Sequence, residues 1–201
     1  MTILDDARQH AQETYPPADW PHILEVTITA LVLAQHEGAD AEIVTLAALF
    51  HDISRPFTGV PNHHTESARM AQGWLTAHGY PEPKIQRVCD AIIAHMRPVE
   101  TDQSGTLAVE SRILYDADKI SRAQGLGLIS ALVRLGSPVT WEGLSYPDLK
   151  EAILQGRSAT QAAYDTLFTT TARELAREGW GHAIAFCDSI LALTVFDPPH
   201  E

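Results

Sequence analysis

The segment AEIVTLAALFHDI, residues 41–53, is apolar on nearly every side and then ends in a histidine and an aspartate. A helix with no polar face has to lie among other helices, so this segment predicts a buried central element. Asp40 stands where its N-cap belongs. The neighbouring segments share the helical period. In HILEVTITALVLAQHEG, residues Ile23, Val26, Ala30, Leu33 and Ala34 recur at three- and four-residue spacing, with Pro21 at the start and Gly38 at the end. TESARMAQGWLTAH stops at Gly79. KIQRVCDAIIAHM lies between Pro83 and Pro98, and VESRILYDADKISRA follows the polar stretch TDQSG. After the apolar GLGLISALVRLG and a break at 138–143, two helical stretches near 146–155 and 158–195 complete the chain. No alternating strand pattern, repeat or low-complexity tract is present. The reading is an all-α helical bundle in one domain, residues 1–201, with its core motifs in 18–130 and a C-terminal helical extension over 145–201.

With a net charge of −12 and a pI of about 5.2, the chain is a poor match for a nucleic-acid duplex or an anionic membrane as main partner. A small anionic substrate held through a metal stays open. Cys89 and Cys187 are isolated thiols without metal-type spacing, which suggests a reducing, cytoplasmic setting and no disulfide framework. MTILDDARQH lacks the basic-then-apolar pattern of a signal peptide, and no run of 18 apolar residues exists. GLGLISALVRLG can pack within the domain or against a second copy, giving a homodimer.

A single His-Asp dipeptide is a pair that chance supplies in a chain with 10 histidines. Its weight comes from company. His22 lies in the first turn of an apolar helix. His51 and Asp52 end the most apolar one. His95 ends CDAIIAH, and Asp116 and Asp118 follow apolar residues in ILYDADKIS. Burying an ionised aspartate without a partner is costly, so Asp52 needs a cation, hydrogen bonds or solvent. Two carboxylates two residues apart on a helix are about 200° apart, so only one of Asp116 and Asp118 points into a given site. Helix bundles build metal sites from such side chains on facing helices. Imidazole and carboxylate without thiolate suit Mn, Fe, Co or Zn in a reactive rather than a structural site.

The order His22, His51–Asp52, Asp118 resembles the H…HD…D signature of the HD-domain superfamily of metal-dependent phosphohydrolases. DWPHILEV resembles its first-histidine motif and ALFHDI its second. HHTESARMAQGWLTAHGYP resembles the segment that follows, and ESRILYDADKI the last-aspartate motif. The resemblance implies an HD-domain helical bundle with a metal site in its core. His22, His51, Asp52 and Asp118 would be metal ligands. Asp118 is chosen because the family's aspartate directly precedes a basic residue, here Lys119; Asp116 then has a structural role. Two-metal members add two histidines, which fit His64 and His95, with His63 as the alternative to His64. One or two divalent transition-metal ions are implied (Mn, Fe, Co or Zn, with Mg allowed).

The implied chemistry is hydrolysis of a small phosphorylated substrate, a nucleotide or related phosphoester, by hydroxide that the metal makes available at neutral pH. In that arrangement Asp52 bridges the metals, His22 and Asp118 complete one side, and His64 and His95 the other. Arg55 is the nearest candidate cation for the phosphate and Lys119 the next, unless Lys119 is a salt link within the bundle. Glu66 or His63 would move a proton to the leaving group, although Glu66 also suits a helix start. Some HD-like proteins with the same six-residue constellation hold two irons and activate O₂, for instance on organophosphonates, and that is the alternative activity. The sequence also departs from the pattern. Glu25 stands where relatives are often basic, Ser121 replaces the second aspartate of DADKLD, and loop 55–62 has its own composition.

Overall fold

The computed structural model describes residues 2–59, 61–96, 107–123 and 146–192, all helix, turn or irregular chain. The helices are α1 (Ile3–Thr14), α2 (Trp20–Glu37), α3 (Ala41–Phe50), the single turn α4 (Arg55–Thr58), α5 (His63–Ala77), α6 (Glu82–Ala94), α7 (Val109–Ala123), α8 (Tyr146–Asp165) and α9 (Thr170–Leu191). The polar loop 101–105, the apolar stretch 125–136 and the break at 138–143 lie outside the described residues.

The apolar helix is central, as its composition requires. Every residue of α3 from Ile43 to Phe50 is buried, and α1, α2, α5, α6 and α7 all pack against it. Full burial of each of Ile43, Leu46, Leu49 and Phe50 contributes about 1.5–3 kcal/mol. Asp40 caps α3, its Oδ1 accepting from Glu42 N at 3.1 Å and Ile43 N at 3.3 Å. Gly38 closes α2 at φ 71°, the left-handed conformation that a residue without Cβ adopts cheaply. Cys89 is buried and Cys187 half-buried, and both thiols are free. No helix among the described residues is long and apolar enough to cross a membrane.

Four elements differ from the sequence reading, the first being the single helical turn α4 inside the 55–62 loop. The N-terminal segment, read only for a leader, forms α1, nucleated by a Thr2–Asp5 capping box in which each side chain accepts from the other's backbone N–H. Its buried face is Ala7 and Ala11, with Tyr15 beyond, small residues that leave a faint period. At the C-terminus the helix break falls at 166–169 rather than near 156–157. Gly156 lies inside α8 in open space, where glycine is merely tolerated. The true break is held from a distance. Asp116 on α7 accepts from Phe168 N (2.8 Å), Thr169 N (2.9 Å) and Thr169 Oγ1 (2.8 Å), and Thr169 in turn caps α9 by accepting from Ala172 N. Asp116 thus has the structural position expected of it. Finally, α5 starts at His63, two residues earlier than its sequence suggested, because Asn62 takes the left-handed conformation at φ 61°.

Candidate metal centre

Three of the histidines stand at helix ends, and for His51 and His95 this determines which ring nitrogen carries the proton. The last carbonyls of a helix lack intrahelical partners. His51 is the C-cap of α3 and places Nδ1 2.8 Å from Ala48 O; His95 is the C-cap of α6 and places Nδ1 2.5 Å from Ile92 O. A carbonyl only accepts, so each Nδ1 carries the proton, and in the neutral ring Nε2 is left with a lone pair. His22, in the first turn of α2, places Nδ1 3.0 Å from Ser121 Oγ on α7. Asp52 follows α3 in the turn, where its backbone N–H donates to Tyr15 Oη at 3.2 Å. Tyr15 therefore ties the end of α1 to the centre.

The side chains converge as two groups, His22–His51–Asp118 and Asp52–His63–His95, with the ligand atoms of each group within 4.8 Å of one another. His51, Asp52, His63, His95 and Asp118 are all buried, and the His22 side chain is 18% exposed. Asp52 spans the two groups. Its Oδ2 lies 3.7 Å from His51 Nε2, and its Oδ1 lies 2.9 Å from His63 Nε2 and 3.6 Å from His95 Nε2. On the other side Asp118 Oδ1 lies 3.4 Å from His22 Nε2 and 3.9 Å from His51 Nε2.

Burial lowers the His51 pKa to about 4, so its ring is neutral at pH 7. Burial works against ionising Asp52, and Arg55 Nη1, donating to its Oδ2 at 2.9 Å, favours the carboxylate form. Burial likewise opposes the charge on Asp118, and Arg122 and Lys119 beside it outweigh that and keep it ionised. The result is lone pairs facing lone pairs. Nε2 of His22, His51 and His95 are buried without hydrogen-bond partners among the described residues, and each faces a carboxylate oxygen. Acceptors aimed at acceptors in a buried space are stabilised by a cation between them, and imidazole with carboxylate is a donor set for a divalent transition metal. The residues fit such an ion.

A ring of positive charge accompanies the carboxylates. Arg55 Nη1 donates to Asp52 Oδ2 at 2.9 Å, and Lys119 Nζ donates to Asp118 Oδ2 at 3.0 Å while lying over the Tyr115 ring. Arg122 Nε donates to Asp118 Oδ1 at 2.9 Å, and its Nη2 lies 4.0 Å from Asp52 Oδ2. Arg122 was not singled out in the sequence, although its place one turn after Asp118 on α7 was a usable signal.

Two sequence expectations are placed elsewhere. His63, not His64, stands beside Asp52. Adjacent helical residues point about 100° apart, so the starting phase of α5 decides between them. Ser54 sets that phase. Its Oγ donates to His63 O at 2.8 Å and its N–H donates to Ser67 Oγ at 3.1 Å, docking the first turns of α5 on the turn that carries Asp52. His64 is half-buried, its ring edge-on to that of His63. Glu66 does not join the centre either. Arg69, one turn on, holds its carboxylate on the solvent side of α5, with Nη2 2.6 Å from Oε1.

The HD domain family model matches residues 20–123, just over half of the chain. The uncharacterized protein YpgQ of Bacillus subtilis is 28% identical over 170 residues, covering 84% of this chain and 80% of that protein. The crystal structure of YpgQ in complex with ADP matches with a TM-score of 0.72 at 24% identity, over 93% of this chain and 92% of that one. A predicted HD superfamily hydrolase from an uncultured Thermotogales bacterium matches with a TM-score of 0.65 at 25% identity, over 94% and 91% of the two chains.

Proposed function

Because the chain belongs to the HD-domain family, we propose that it is a metal-dependent phosphohydrolase acting on a small phosphoester, a nucleotide or a related phosphate. The observation that carries the reading is the pair of His/Asp groups that meet at Asp52 beneath Arg55, Lys119 and Arg122. His22, His51 and Asp118 would hold one divalent cation and Asp52, His63 and His95 a second, with Asp52 offering one oxygen to each side. Such cations supply Lewis acidity and make hydroxide available at neutral pH.

The chain's own residues do the rest. Arg55 and Arg122 are partly exposed, at 29% and 40% of the side chain, so they can turn from the carboxylates toward phosphoryl oxygens. Lys119 is held between Asp118 and the Tyr115 ring and keeps a fixed positive charge beside the centre. The ADP bound to YpgQ supports a nucleotide as the substrate class to test first.

The test is elemental analysis of the protein as purified, followed by reconstitution of metal-free protein with Mn²⁺, Co²⁺, Fe²⁺, Zn²⁺ or Mg²⁺. Each form is assayed for phosphate release from nucleotides and small phosphoesters. At least one metal is expected to support turnover, and His51→Ala and Asp52→Ala to bind no metal and release no phosphate. Equal metal in the wild type and both variants would remove the site. Turnover of no phosphoester, with O₂ consumed by the iron form on a phosphonate, would replace this reading with the di-iron oxygenase.

A further inference from the structure

Glu25 on α2 and Ser121 on α7 meet in space. Ser121 is fully buried on α7, and its hydroxyl donates to Glu25 Oε2 on α2 at 2.9 Å. The same oxygen lies 3.0 Å from His22 Nδ1. A hydroxyl has one hydrogen, and a carboxylate only accepts. With that hydrogen given to Glu25, Ser121 can only accept from His22, so Nδ1 carries the His22 proton. Nε2 is left as a lone pair, and it is this atom that is buried without a hydrogen-bond partner 3.4 Å from Asp118 Oδ1.

His51 and His95 reach the same tautomer through carbonyls three residues back in their own helices. His22 is at a helix start, where no such carbonyl is free, because the orphan groups there are N–H donors. It needs an acceptor from elsewhere, and α7 supplies it.

We propose that Glu25, acting through the Ser121 hydroxyl, is a positioning residue that sets the tautomer and orientation of His22 for metal capture. The carboxylate stands on the facing helix and is relayed to the ring by a hydroxyl. Outer partners of this kind fix ligand rings and raise their basicity. The purpose of the relay rests on the metal-centre reading, but its first consequence is a property of the metal-free protein.

The test is therefore made first on metal-free protein at pH 8, by reading the ¹⁵N shifts of the His22 ring. Wild type is expected to show protonated Nδ1 and unprotonated Nε2. Ser121→Ala and Glu25→Gln are expected to shift His22 toward the Nε2–H form that free imidazole prefers. Mn²⁺ affinity, measured by competition with a chelator, is expected to fall by about 10-fold or more in both variants, the range for outer-partner loss. The double variant Ser121→Asp/Glu25→Gln returns a carboxylate directly to Nδ1 and is expected to recover both the tautomer and the affinity, which guards against a simple folding defect. Protonated Nε2 in the wild type, or variants with unchanged tautomer and affinity, would overturn the relay. A wild type that binds no metal but shows the expected tautomer shift would instead overturn the metal reading.

Discussion

Asp52 Oδ1 lies 2.9 Å from His63 Nε2, so the first of the two adjacent histidines faces the centre. His63→Ala is expected to halve the bound metal, from two ions per chain toward one, while His64→Ala retains both. Elemental analysis after gel filtration decides this. Full metal in His63→Ala with loss in His64→Ala would reverse the assignment.

Arg122 bonds Asp118 and approaches Asp52, and Arg55 bonds Asp52. If these guanidiniums hold the phosphate, Arg122→Ala and Arg55→Ala should each lower kcat/KM by about 100-fold, the scale for removing one donor to developing charge. Their Mn²⁺ content should match the wild type. Activity within a few-fold of wild type in both variants would leave the phosphate without these partners.

Asp116 accepts three hydrogen bonds at the start of α9. Its burial pushes its pKa up to about 6 despite those donors. Asp116→Ala strands Phe168 N–H and Thr169 N–H, and the expected loss is about 3 kcal/mol in urea unfolding at pH 7. Metal stoichiometry in native conditions should not change. A loss below about 0.5 kcal/mol, the scale of an ordinary surface substitution, would mean that α9 docks without this carboxylate.

His10 on α1 stacks against Trp74 on α5 with ring centroids 5.6 Å apart, and His78 stacks on the same side chain at 3.8 Å. Partial burial lowers the His10 pKa below its ordinary value of 6.5, with nearby His78 adding to the effect. The unfolded chain then binds the proton more readily than the folded one. This neutral-ring contribution is complete above pH 6.5 and is lost as pH falls below it. His10→Phe keeps a ring on Trp74 and removes the titration, so its Tm should fall less between pH 7.5 and 5.5 than that of the wild type. Parallel Tm profiles for the two proteins would contradict this.

Much of the candidate centre was legible because its candidate ligands sit at ends of strongly periodic helices. His51–Asp52 closes the apolar α3, His95 closes α6 and His22 opens α2, and apolar period with helix punctuation marks such places. Asp118 over Asp116 came from the residue that follows it, and the structure gives the two carboxylates opposite partners. What stayed hidden were contacts between distant parts of the chain. Tyr15 reaches Asp52, Ser54 holds His63, Asp116 holds Thr169, and Ser121 joins His22 to Glu25.

By itself, then, the chain's residue order determined the helical class, the central place of α3 and the chemical kind of the side chains that gather at the candidate centre. Hydrophobic periodicity and capping act within a few residues and can be read locally. Only the tertiary structure decided which of His63 and His64 turns inward and which ring nitrogen of His22 keeps its proton. Those outcomes depend on helix phase and on hydrogen bonds such as the one between Ser121 and Glu25, 96 residues apart in the chain, which exist only once the helices have packed.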